Sequence, residues 1–204
     1  MKRNIFVVAV AALSLALGGC SPLKFLFPLY TDSDQLFDGN LVGEWRYLPD
    51  KSGDDGVSTE DENENARWVF QKTKDKLTYD SWQIELGKAG GLRSAAKLVK
   101  LGDAQFLDFE SFSDFSEDQQ SPYPAISAHA VARVWISKER VTIRVLDEKW
   151  ARKQIALKKF PLAFLETPTD LAVTAKTEEM RQFVAQHADD KEAFSLNFDL
   201  ARVH

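Results

Sequence analysis

A single cysteine, Cys20, occurs in the 204 residues, and that scarcity closes several routes to function at once. One thiol forms no internal disulfide and, without companions, makes a poor metal site. Histidine is nearly as rare, at three residues, and no HExxH pair is present to hold zinc. No Gly-x-Ser-x-Gly elbow supplies a serine nucleophile. Gly87, Gly90 and Gly91 stand without the Lys-Ser/Thr pair of a phosphate-binding loop and read as a turn. Basic residues are outnumbered, 26 Lys+Arg against 31 Asp+Glu for a net charge of −5. That balance argues against a nucleic-acid partner, which needs a basic surface. Long apolar runs are also missing. The longest, Ile5 to Leu17, is 13 residues interrupted only by Ser14. As a helix it covers roughly 20 Å, short of the ~30 Å hydrocarbon core of a bilayer. With neither catalytic nor cofactor motif in view, the expectation is a protein that is not an enzyme and carries no cofactor.

That short apolar run is the informative positive feature. Lys2 and Arg3 precede it and Leu17-Gly18-Gly19-Cys20 ends it, the charge and length pattern of a signal peptide. The four final residues resemble the lipobox of bacterial lipoproteins. The resemblance implies that residues 1–19 are removed and that Cys20, acylated with palmitate-like chains, becomes the first residue of the mature chain. Several acyl chains, each buried CH₂ contributing about 0.8 kcal/mol, anchor stably where one alone is marginal. In that family an Asp after the cysteine retains the protein at the inner membrane; Ser21 here implies the outer membrane, facing the periplasm. Loss of Lys2 and Arg3 lowers the 26 cationic residues to 24 against 31 acidic ones, net −7.

Residues 20–40 form an apolar tether, with Pro22 and Pro28 as breakers among Leu23, Phe25, Leu26, Phe27, Leu29 and Tyr30. Flexible linkers are polar, so this segment either packs on the domain or lies in the lipid interface. Within it, Asp32 to Phe37 is expected to form a short helical turn. From residue 41 to 204 the pattern is that of one domain. Period-two runs at Glu44–Pro49, Ala66–Lys72, Lys76–Leu86, Arg93–Leu101, Gln105–Glu110, His129–Ser137 and Arg140–Leu146 are separated by turn residues, as in an antiparallel meander. A long meander with a covered interior must close to remove its edges. Asp147 to Lys159 reads as a helix with a basic face, and Leu171 to Ala175 as another strand. Thr177 is placed to cap a helix bearing the stripe Met180, Phe183, Val184 and His187. In the last run Phe194, Leu196, Phe198, Leu200 and Arg202 share one face. The fold class expected is mainly β: an antiparallel up-and-down barrel with a C-terminal helix and a closing strand.

Leu41-Val42-Gly43-Glu44-Trp45 resembles the G-x-W signature of lipocalin-like (calycin) barrels. There a first-strand Trp closes the barrel floor and an Arg from a late strand packs across it. The resemblance implies a floor signature of Gly43, Trp45 and Arg202, with Arg144 the second choice for the arginine. A longer resemblance joins Phe106-Leu107-Asp108, His129, Arg133-Val134, Leu146-Asp147 with Trp150, and Thr174-Ala175 with Thr177 and Glu179. These elements are similar to a group of secreted bacterial proteins of no assigned activity, and they import no catalytic residue.

Two long connections stand out. Asp50 to Asn65 is acidic, but with Asp50 as position one of an EF-hand loop, Asp55 falls where the turn Gly belongs and Asp61 where the bidentate Glu belongs. It therefore reads as a solvated loop and no metal is expected. Ser111 to Ile126 mixes aromatic and acidic residues and could cover a barrel mouth. Phe106, Phe109, Trp68, Trp82 and Trp135 read as core. Of the histidines, His129 alone is placed for acid–base work, although a structural role is the commoner one. Two functions follow. One is an envelope lipoprotein whose barrel holds a small apolar ligand, since about eight strands are just wide enough for that or for their own side chains. The other is an interaction module with a filled barrel, an assembly accessory or inhibitor of an envelope protein, using its loops and the basic helix Lys149–Lys159. An enzyme built on His129 and a carboxylate such as Asp108 is a third reading.

Overall fold

A computed structural model describes residues 21–48, 66–85, 91–111, 127–168 and 170–204. The expected signal peptide, Cys20, the acidic loop 50–65, the turn at 86–90 and the connection 112–126 lie outside the described residues. The elements in chain order begin with two minimal strands, β1 (Lys24–Phe25) and β2 (Gln35–Leu36). Seven longer ones follow: β3 (Gly43–Tyr47), β4 (Ala66–Lys72), β5 (Thr78–Glu85), β6 (Gly91–Leu101), β7 (Ala104–Ser111), β8 (His129–Ile136) and β9 (Arg140–Val145). Then come helix α1 (Glu148–Ala156), the short strands β10 (Phe164–Glu166) and β11 (Leu171–Val173), helix α2 (Thr177–Gln186) and the final strand β12 (Leu196–Arg202).

Strands β3 to β9 pair antiparallel, each with the next, and β12 enters between β9 and β3. The result is a closed antiparallel barrel of eight strands. Closure follows from the alternation in β12. Leu196, Phe198 and Leu200 turn inward beside Val145, Ile143 and Val141 of β9, while Asn197 and Asp199 are exposed. Tight turns carry the meander: Gly102 takes φ +60° between β6 and β7, a conformation open to residues without Cβ strain.

Two cores result. The inner one fills the lower barrel with aromatic rings: Trp68 lies 5.4 Å from Phe70, 5.6 Å from Phe109 and 5.6 Å from Phe198. The outer one lies between the barrel wall and the helices. Val99, Phe106 and Val131, which point out of the barrel, meet Trp150 and Ala151 of α1 and Met180, Phe183 and Val184 of α2. His187 completes that stripe, with its ring 5.1 Å from Trp150.

The tether belongs to this outer core. Leu23, Phe25 and Leu29 are fully buried. β1 pairs antiparallel with β8 and parallel with β11, and β10 continues the side sheet. Expected as a helical turn, Asp32 to Phe37 instead contains β2, whose residues pair with Leu98 and Val99 of β6. Backbone groups of β6 left unpaired beyond the end of β5 are satisfied in this way, and that demand outweighs the local turn preference. The Thr177 hydroxyl does not cap α2. It donates to the Pro28 carbonyl at 2.9 Å, tying the helix to the tether. Asp147 does cap α1, accepting the Lys149 N–H at 2.8 Å.

Two tryptophans expected inside face outward. In the alternation of β8, Val134 points in and Trp135 out, where it is 41% exposed. Trp82 lies on the outer wall beneath Arg93, whose guanidinium carbon is 5.2 Å from the ring. Strand parity, set by Ser81 and Gln83 on the inner face, fixes that orientation.

A structural tether and a flexible one respond differently to truncation. Phe25→Ala removes a fully buried ring and is expected to lower unfolding stability by about 3–5 kcal/mol, read from urea denaturation. An effect within about 0.5 kcal/mol, usual for surface sites, would show that residues 21–40 are not part of the cooperative fold.

Candidate functional site

Three sites are built on this frame: a clamped floor, a buried acid–histidine pair on the wall, and a cavity at the mouth. At the floor, Trp45 on β3 is opposite Arg202 on β12, and the guanidinium carbon sits 4.2 Å above the indole. Arg202 also donates to three backbone carbonyls: Nε to Lys138 at 2.6 Å, Nη1 to Val42 at 3.0 Å and Nη2 to Asn40 at 2.5 Å. One side chain thereby joins the β8–β9 turn, the last strand and the segment entering β3. Gly43 explains its own identity. Its φ is +143°, and a Cβ there would lie 2.5 Å from Arg202 Nη1. Trp45 Nε1 donates to Leu41 at 2.9 Å, so residues 36–42 fold across the barrel end. Phe37 stacks on Tyr79 at 5.2 Å, and burial of that phenol raises its pKa to about 12. The structure thus brings Gly43, Trp45 and Arg202 together. Arg144 lies elsewhere, on the outer wall over Trp135.

On the wall, Asp108 of β7 and His129 of β8 are diagonal neighbours on the outward face. His129 Nδ1 lies 2.7 Å from Asp108 Oδ1, and the Leu29 N–H donates to Oδ2 at 2.5 Å. Both residues are buried beneath the tether. Burial disfavours the imidazolium, but the hydrogen bond and charge of Asp108, aided by Glu110, outweigh it and hold the His129 pKa above its ordinary value. The geometry is that of an acid-oriented histidine. Its carboxylate, however, spends its second oxygen on the tether backbone, so the pair acts as a clamp that fastens residue 29 to the barrel.

At the mouth, the end opposite Trp45, a cavity of about 470 Å³ opens above the aromatic layer. Trp68, Phe109 and Phe198 form its base, Leu92, Ala130, Val145 and Leu196 its apolar walls, and Gln83, Ser94, Ser195 and Asn197 add polar points. The size falls within the roughly 300–1,000 Å³ of small-molecule pockets, and the mix of apolar wall with few polar groups is what such pockets use. Pro22 also lines it. The tether reaches this rim through Leu23 N–H to Leu146 O at 2.8 Å and Glu148 N–H to Ser21 O at 3.0 Å.

Sequence reasoning identified none of the cavity residues as a site. Alternation marks Gln83, Leu92, Ser94, Leu196 and Phe198 as inward but says nothing of height along the barrel axis. On the basic face of α1, Lys149 is exposed, and two other cations are paired within the chain. Arg152 pairs with Glu148 and Glu166, both at 2.7 Å, and Lys153 with Glu192 at 3.4 Å. Among the described residues no group of three His, Cys, Asp or Glu side chains is arranged to hold a metal ion, and no helix is long and apolar enough to cross a membrane. Comparison with known families, curated proteins and solved structures finds no match.

The floor clamp has a coupling that can be measured. Gly43→Ala is expected to cost about 1–3 kcal/mol from backbone strain and the clash with Arg202, and that cost should shrink in an Arg202→Ala background, where the clash partner is gone. Equal costs in both backgrounds would separate the two residues. The wall pair has a pH signature. A folded-state pKa raised above 6.5 means that the ionised pair contributes fully below that pH and that its contribution disappears as pH rises through the folded pKa. The melting-temperature gap between the native chain and His129→Gln is therefore expected to be widest in mild acid and to narrow toward alkaline pH. A gap that grows with pH would contradict this assignment.

Proposed function

We propose that this chain is a cell-envelope lipoprotein, anchored at the outer membrane through acyl groups on Cys20, whose lipocalin-like barrel binds a small apolar ligand in its mouth cavity. The observation that supports the reading best is the cavity itself. The lower barrel is packed with Trp68, Phe70, Phe109 and Phe198, yet the upper barrel keeps about 470 Å³ free behind apolar walls. A barrel that served only as a scaffold for its loops gains stability by filling that space, because each missing contact forfeits dispersion energy. The few polar side chains stand among the apolar walls, where they can orient the polar end of a fatty acid or similar amphiphile. On the basic helix that the interaction-module reading relies on, Arg152 and Lys153 are already ion-paired within the chain, which favours the cavity as the first site to test.

The test uses the Cys20→Ser chain exported behind an ordinary secretory leader, titrated with the fluorescent fatty acid cis-parinarate. Saturable binding with Kd on the order of 1–10 µM is expected, the range in which burial of several methylenes at about 0.8 kcal/mol each exceeds the cost of association. Ala130→Phe, which fills the cavity, should weaken it at least tenfold, and the Cys20→Ser chain should leave the membrane fraction that holds the native protein. Absence of saturable binding, or binding indifferent to Ala130→Phe, would refute the cavity as a ligand site.

A further inference from the structure

The first described residues of the chain stand at the rim of the cavity. Ser21 and Pro22 are fixed there by the bond from the Glu148 N–H to Ser21 O at 3.0 Å, by the bridge between Pro22 and Asp147, and by the bond from the Leu23 N–H to Leu146 O at 2.8 Å. Pro22 forms part of the cavity wall, beside Val145 and Ser195. Leu23 is fully buried, so the backbone cannot swing the preceding residue away from the mouth without breaking the outer core. We propose that the occupant of the cavity is an acyl chain carried by Cys20 itself, so that the barrel is occupied by its own lipid anchor. The proposal rests on the lipid attachment and cavity binding described under Proposed function.

Three considerations converge on this occupant. Proximity is the first: Cys20 is joined by one peptide bond to Ser21, the single residue that separates it from the wall residue Pro22. A group tethered so closely reaches an effective concentration on the order of 1 mM or more. For a site with Kd on the order of 1 µM, such a tethered competitor weakens the apparent affinity for any free ligand of the same chemistry by roughly a thousandfold. Volume is the second. The 470 Å³ cavity equals roughly fifteen water volumes of about 30 Å³, and a methylene is of similar size. About one palmitate-like chain fills it, and several chains do not fit. Chemistry is the third: the walls toward Pro22 are Val145, Leu196 and Ala130, and the floor is the aromatic layer of Trp68, Phe109 and Phe198. A hydrocarbon chain entering from the rim meets mainly apolar surface along its path, with Ser195 and Asn197 at the rim and Gln83 and Ser94 as the other polar points.

The consequence is regulatory. With one chain held in the barrel, fewer remain to enter the bilayer, and a free ligand gains access only when the tethered chain leaves. Membrane insertion and ligand binding then become competing states of one site, linked in both directions.

The experiment compares two forms of the chain with the same cis-parinarate probe: the native lipidated protein reconstituted in dioleoylphosphatidylcholine vesicles, and the Cys20→Ser form with the same vesicles added. Protein-specific signal is taken as the part removed by Ala130→Phe in each form, with Ser94→Phe as a second cavity-filling variant should the first not fold. The expected result is an apparent affinity at least tenfold weaker for the lipidated form, together with normal binding by Cys20→Ser. Equal affinity in the two forms overturns the self-occupancy while leaving the cavity as a ligand site. Absence of binding in both forms overturns the cavity reading itself, and with it this one. Bromination of the vesicle acyl chains separates the remaining source. If neighbouring phospholipid rather than the chain's own lipid enters the cavity, Trp68 fluorescence is quenched by the brominated lipid, and Trp68→Phe abolishes that component. Such quenching would also overturn self-occupancy.

Discussion

Everything in this molecule depends on the last strand finding its place between the first and the seventh of the barrel. β12 hydrogen-bonds on one side to β3 and on the other to β9, and without it the meander has two open edges. The pairing with β3 joins residues about 155 positions apart, since Arg202 faces Trp45 and Leu200 faces Tyr47. Such distant pairing is slow to form because loop-closure entropy must be overcome before the contact gives anything back. Arg202 helps hold the closure once made. Its guanidinium reaches three carbonyls from two other parts of the chain while covering the indole. Charge-assisted bonds of this kind are stronger than neutral ones, and a planar fork is suited to several acceptors at once.

The second dependence is that of the outer core on the tether. The outward faces of β6, β7 and β8 carry Val99, Phe106 and Val131, apolar side chains that a free-standing barrel would leave in water. Leu23, Phe25 and Leu29 cover part of this surface and the two helices cover the rest. Asp108 makes the arrangement specific: a buried carboxylate left unpaired is costly, and here His129 satisfies one oxygen and the Leu29 N–H the other. Apolar burial alone would permit the tether to slide; the carboxylate fixes its register.

Much of the barrel is legible in the chain because strands announce themselves by period two and by their turns. The alternation from Leu196 to Arg202 sets both the inward face of β12 and the position of the arginine. The glycine at 43 and the tryptophan at 45 lie on that same closing seam. What is not legible depends on three dimensions at once. β1 and β2 are strands of two residues each, too short to have a period. Trp135 has the size of a core residue, but parity places it outside. Asp108 and His129 are 21 positions apart and become neighbours only through the β7–β8 register. The cavity is hidden for a related reason, because Phe109 and Ser94 look equally inward in sequence and differ only in which level of the barrel they occupy.

The burial of the tether also sets the reach of the molecule. A polar linker of twenty residues would let a domain roam roughly 25 Å from its attachment point. Here those residues are spent as strands and core, so a lipid on Cys20 would leave a leash of about one residue, some 3.6 Å. The barrel would ride on the bilayer like a boat moored against the quay rather than at anchor. With that anchor in place, whatever met its rim would have to come within a few ångströms of the lipid headgroups, and the height of the encounter would be determined by the fold rather than by chance.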